Sequence, residues 1–92
     1  MDLYDQIAVK IIAGQETIIG PVAIEQASQV KGLQIDWANH KVSITGDKAT
    51  AIEHLVERYK ELFGQISVEV SKQAAASLMR QLPTDGLPAM LK

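Results

Sequence analysis

His54 and Glu57 stand three residues apart, a spacing that sets an imidazole and a carboxylate on the same face of a helix. Such a pair can give two ligands to a metal, but further ligands must arrive from other elements. The chain holds no cysteine, and its other histidine, His40, falls in a turn-forming run. With Glu53, Arg58, Lys60 and Glu61 around it, the pair reads as part of a solvated charged face. Ser43, Ser67, Ser71 and Ser77 lack the flanking glycines of a nucleophile elbow, and only the two histidines are available as their bases. The loop Thr45–Thr50 precedes a helix start, where amide groups favour an anion. It lacks the spaced glycines and Gly-Lys-Ser/Thr of a phosphate loop, and Asp47 would oppose a phosphate. These residues support no catalytic, cofactor-binding or metal site, so the chain is read as a non-enzyme without a cofactor.

Bulk composition points the same way. A chain of 92 residues is one small domain. Apolar residues make up 47% and aromatics 4%, so the core must be aliphatic. Without cysteine there is no disulfide framework, and stability must come from helix packing or association. Nine basic and eleven acidic residues leave a net charge of −2, too balanced to demand a polyanionic or polycationic partner. The uncharged stretch Gln73–Met79 is far too short to cross a membrane. Met1–Asp5 is acidic, unlike the basic start of a signal peptide, and a cytoplasmic protein is expected.

The elements that would position these residues can be read from periodicity and punctuation. Asp2 is a natural N-cap, and Leu3, Ile7, Ile11, Ile18, Val22, Ala27 and Val30 recur at helical spacing. Gly20-Pro21 interrupts them, because proline is tolerated at a helix start and not in its interior. The expectation is one helix over 2–19 and a second over 21–30. Gly32 suits a helix terminus. Leu33–Trp37 and Lys41–Thr45 alternate as strands about Ala38-Asn39-His40, which reads as a β-hairpin. Leu33, Ile35, Trp37, Val42 and Ile44 would share its buried face. Asp47 then caps a helix with the stripe Ile52, Leu55, Val56, Tyr59, Leu62, Phe63 and Ile66. Gln65–Gln81 is expected to be helical, although Ile66–Val70 also alternates like a strand. Residues 1–82 form the expected domain, and 83–92 a flexible C-terminal tail that begins at Pro83.

The two arms are related. Ile18-Ile19-Gly20-Pro21-Val22-Ala23-Ile24-Glu25 matches Leu62-Phe63-Gly64-Gln65-Ile66-Ser67-Val68-Glu69 at an offset of 44 (64 − 20). The fold class expected is therefore α+β and predominantly helical, two helical arms joined by a β-hairpin. A glycine between two helices lets the chain bend or backbones approach closely. Ile18, Ile19, Gly20, Val22, Leu62, Phe63, Gly64, Ile66 and Val70, with the aromatic Trp37, are the candidate interface.

The Ile-Gly-Pro-Val-Ala run at Ile19–Ala23 resembles a motif of small helical modules appended to bacterial signalling proteins, including kinases and regulators. That resemblance implies oligomerisation or docking. The succession helix, strand, strand, helix over Pro21–Phe63 is also similar to the core of a KH domain, which would imply RNA binding. The Gly-x-x-Gly loop of that family has no counterpart, since Gly20-Pro21-Val22-Ala23 is not one. The expected function is protein–protein interaction or dimerisation in a bacterial signalling or regulatory system, with RNA binding as the alternative. The expected partners are a second copy or another protein, without a membrane.

Overall fold

Asp2 opens α1 (Leu3–Ile19) by accepting the Asp5 amide at 2.9 Å, satisfying one of the donors a helix start leaves unpaired. In the computed structural model, which describes residues 2–82 and Leu91, six further elements come after it. They are α2 (Val22–Ser28), β1 (Leu33–Asp36), a 3-10 turn (Trp37–Asn39), β2 (Lys41–Ile44), α3 (Lys48–Phe63) and α4 (Gln65–Met79). The fold is a predominantly helical α+β fold with one two-stranded antiparallel hairpin. The expected tail, 83–92, lies outside the described residues except for Leu91, which is buried against the core.

Several boundaries differ from the sequence reading by a residue or two, each for a local reason. α2 stops at Ser28 and not at Val30, because Gln29 and Val30 donate to the carbonyls three residues back and tighten the last turn. α4 likewise gives way beyond Met79 to three-residue bonds at Gln81 and Leu82. Trp37 and Thr45 fall outside the strand ladder. The register pairs Leu33 with Ile44 and Asp36 with Lys41, so residues 37–40 must reverse the chain. They do so with the 3-10 turn and with His40 in the left-handed region at φ 50°, an arrangement common to longer hairpin loops.

The core is aliphatic, as composition requires. Ile7, Ile11 and Ile12 of α1, Ile52, Leu55 and Val56 of α3, and Val42 of β2 are all shielded from solvent. Leu33, Val42 and Ile44 turn the hairpin's apolar face inwards, with Ile35 and Trp37 half-buried beside them. Trp37 is held by its indole N–H, which donates to Glu16 Oε2 of α1 at 3.2 Å. α1 also packs along α4. A methyl on Gly14 would sit 3.1 Å from Ala74 Cβ, so the missing side chain there sets how near the two helices come. Residues 65–70, ambiguous by periodicity, are helical.

Candidate interaction site formed by two glycine corners

Each arm is a helix, a glycine and a second helix, and the two glycines make the same turn. Gly20 has φ 72° and ψ −154°, and Gly64 has φ 84° and ψ −173°. That region is open in practice to glycine alone. Gly20 donates its amide to Glu16 O at 2.9 Å, and Gly64 to Lys60 O at 2.8 Å. Each glycine carbonyl then accepts from the residue three further on, Ala23 at 3.0 Å and Ser67 at 3.1 Å. Both corners thus terminate one helix and start the next with the same pair of bonds.

The corners also hold each other. Gln15 Nε2 donates to Ser67 O at 2.8 Å and to Ser71 Oγ at 3.1 Å. Tyr59 Oη donates to Ala23 O at 2.6 Å. The offset that relates the arms carries Gln15 onto Tyr59 (15 + 44 = 59) and Ala23 onto Ser67 (23 + 44 = 67). The two bonds are therefore reciprocal. Each joins a side chain five residues before one glycine to the carbonyl three residues after the other. α1 packs on α4 far more extensively than α3 packs on α2, so the approximate two-fold relates the corners and not the whole arms. Gln15 and Tyr59 are both buried, and a buried polar group must find a partner. Burial also raises the Tyr59 phenol pKa, which keeps it a donor.

Around this junction the apolar residues divide by face. Ile18 is 61% exposed, Val22 39%, Leu62 50% and Ile66 68%, and these are the large exposed hydrophobics among the described residues. The offset of 44 carries Ile18 onto Leu62 and Val22 onto Ile66, so the four form two related pairs. All four lie within a turn of the joined corners. Ile19 and Phe63, which are also related by the offset, pack partly against the core. Val70 is half-buried towards Gly14, and Trp37 is half-buried on α1. Ile18, Val22, Leu62 and Ile66, candidate interface residues by sequence, are thus exposed where the chain turns at each corner.

Several polar residues outside the corners have structural partners. Lys48, at the start of α3, pairs with Asp2 and, at 3.5 Å, with Asp5, which pins α3 to the start of α1. The Lys48 ammonium, followed by the Asp5 amide, lowers the Asp2 pKa, and the bond to Asp2 raises that of Lys48. Asp47 caps α3 through the Thr50 amide at 2.9 Å, and that bond lowers its pKa. Arg58 reaches Gln26 Oε1 at 2.8 Å and Gln29 Oε1 at 2.6 Å, tying α3 to α2. His54 and Glu57 line a shallow groove with Lys31 and Arg58. Among the described residues, no three His, Cys, Asp or Glu side chains are placed to share a metal ion.

The reciprocal bonds escaped the sequence reading because a mid-helix glutamine looks like a surface residue. The offset itself was the available signal, since it sets Gln15 over Tyr59, two donors in otherwise apolar stripes. No family model, curated protein or solved structure matches the chain. No described helix is long and apolar enough to cross a membrane.

Proposed function

We propose that this chain is a non-enzymatic protein–protein interaction or dimerisation module that buries its two-corner face against another polypeptide. The observation that carries this reading is that Ile18, Val22, Leu62 and Ile66, each within a turn of a corner glycine, are the large exposed hydrophobics among the described residues. Burying one such side chain in full is worth about 1.5–3 kcal/mol, so covering the four gives a strong drive to associate. Four large apolar side chains left exposed beside the two corners mark an interaction site more often than a single exposed leucine does. The rigidity of the corners favours the same role. Gly20, Gly64 and the two cross-bonds present the apolar side chains on a preorganised frame, which lowers the ordering cost of binding. On this reading the module works in the cytoplasm, within a bacterial signalling or regulatory assembly.

The test is sedimentation equilibrium over a wide range of concentration, with the wild type beside an Ile18→Ser/Ile66→Ser variant. The expected wild-type mass exceeds the 10.0 kDa of one chain and returns to it in the variant. Association that persists in the variant would count against the face. Affinity for mixed RNA at low salt, unchanged by the double substitution, would favour RNA binding instead.

A further inference from the structure

We propose that the chain pairs with a second copy by exchanging α4, each copy straightening at Gly64 and seating its α4 on the α1 of the other. This exchange goes beyond the corner face and does not need it as a docking surface. The first observation is the phase of the apolar residues. Leu62 and Ile66 keep helical spacing with Ile52, Leu55 and Tyr59, which α3 buries, yet they stand 50% and 68% exposed. α4 buries a different face, with Ser67, Val68, Ser71 and Ala75. A single helix over Lys48–Met79 would therefore carry two faces, one continuing the α3 stripe through Ile66 and one fitted to α1. At 1.5 Å per residue it would run about 48 Å, well beyond the 31 Å longest extent of the closed molecule, so α4 would leave its own α1.

The second observation is where α4 rests. It follows α3 directly but packs more extensively on α1. Gln15 donates to Ser67 O and Ser71 Oγ, and the bare Cα of Gly14 lets Ala74 and Val70 come close. These contacts are the same whichever chain supplies α4. An exchanged pair keeps them and replaces the corner with ordinary helix. Exchange of an identical element is a low-cost route to a dimer, and a hinge as short as one residue invites it.

The third observation decides which corner opens. The two corners match in shape, but the residue after the glycine is Pro21 in one and Gln65 in the other. Proline inside a helix deletes a bond, clashes with the preceding turn and biases the residue before it away from helical angles. The Gly20 corner is therefore locked. Gln65 is exposed at its corner and, as a good helix former, enters a helix interior readily. Gly64 itself is a poor helix former, which holds the closed form in place, and alanine there would favour the straight one.

The test is refolding from urea at low and at high chain concentration, followed by gel filtration and sedimentation, with far-UV circular dichroism to check each fold. At high concentration the wild type should yield a dimer that dissociates slowly on dilution, because α4 must unseat from α1. Gly64→Ala should raise the ratio of slow dimer to monomer several-fold. Gln65→Pro, which copies the Gly20-Pro21 step, should keep the monomer fold and lower that ratio several-fold. Gly20→Ala, strained in the same way but followed by Pro21, should leave it near the wild-type value. A Gln65→Pro chain that forms the slow dimer as the wild type does would overturn the exchange. So would a Gly20→Ala chain as dimeric as Gly64→Ala, or a wild type that refolds only to 10.0 kDa at every concentration. The corner face is judged separately, by rapidly reversible association of chain that was never unfolded. Ile18→Ser/Val22→Ser should weaken that association and leave the slow dimer in place, and loss of the slow dimer in this folded variant would overturn the exchange.

Discussion

Gln15 and Tyr59 are chemically unlike, yet they occupy one structural position twice. Each lies five residues before a corner glycine and donates across to the carbonyl three residues past the other glycine, at 2.8 Å and 2.6 Å. Their losses should differ. Ser67 O also accepts from Ser71 Oγ at 2.8 Å, so Gln15→Leu leaves that carbonyl a side-chain partner. Tyr59→Phe removes the hydroxyl on Ala23 O. Ala23 lies within α2, so its carbonyl keeps a helix bond, and the side-chain hydrogen bonds removed are worth about 0.5–1.5 kcal/mol net. Urea denaturation should therefore show Tyr59→Phe as the more destabilising, at about 1.5 kcal/mol against about 0.5–1 for Gln15→Leu. The opposite order would mean that the α1–α4 contact and not the α2–α3 contact holds the junction.

The corner glycines should respond alike. Gly20 and Gly64 share a backbone conformation that side chains avoid, and a methyl built on either would meet nothing within 4 Å. Alanine there is strained without clashing. Gly20→Ala and Gly64→Ala should each cost about 1–3 kcal/mol and match within about 0.5 kcal/mol. In a domain of this size each kcal/mol lowers Tm by about 4–8 °C, so thermal melts can compare them. A large difference between the two would contradict the equivalence of the corners.

Most of the fold was legible because its signals are local. Asp2 and Asp47 cap helices as their positions suggest, Pro21 opens a helix, and the hairpin alternation puts Leu33, Val42 and Ile44 inside. Helicity at Gln65–Met79 was readable from the offset to the first arm. The site was legible only in part. Ile18, Val22, Leu62 and Ile66 keep helical spacing with core residues, and spacing does not reveal that a glycine at positive φ rotates the next helix out of phase. The length of the closing turn at Trp37–His40 likewise depends on strand register, which pairs residues far apart in sequence.

Stability should have limbs at both ends of the pH range. The Asp2 pKa is lowered by Lys48 and the Asp5 amide, and that of Asp47 by the Thr50 amide. Their stabilisation is present above the ordinary carboxylate value of about 3.9 and is lost as pH falls through the depressed folded values. The pKa of Tyr59 is raised by burial, and that of Lys48 by its bond to Asp2. Their stabilisation is present below the ordinary values, about 10 and 10.4, and is lost as pH rises through the higher folded ones. Urea midpoints between pH 2 and 11 should therefore show a plateau with two falling limbs. Asp2→Asn should lower the plateau and shallow the acid limb, and Tyr59→Phe should shallow the alkaline limb. An acid limb unchanged in Asp2→Asn would exclude the Lys48 pair as its source.

Leu62 and Phe63 are neighbours in sequence with opposite tasks. Leu62 is 50% exposed at the corner, whereas Phe63 packs partly against the core. Leu62→Ser removes little buried contact and should change monomer stability by no more than about 0.5 kcal/mol, the range of ordinary surface substitutions. It should nevertheless weaken association. Phe63→Ala empties part of the core and should cost about 2 kcal/mol, below the roughly 3–5 kcal/mol of a fully buried phenylalanine. Loss of that ring should also weaken association by loosening the turn that presents Leu62. Urea midpoints measured beside sedimentation at matched concentrations separate the two effects. If Leu62→Ser left association intact while Phe63→Ala abolished it at equal foldedness, the contact would lie on the inner face of the stripe. The four outward side chains would then be surface and nothing more.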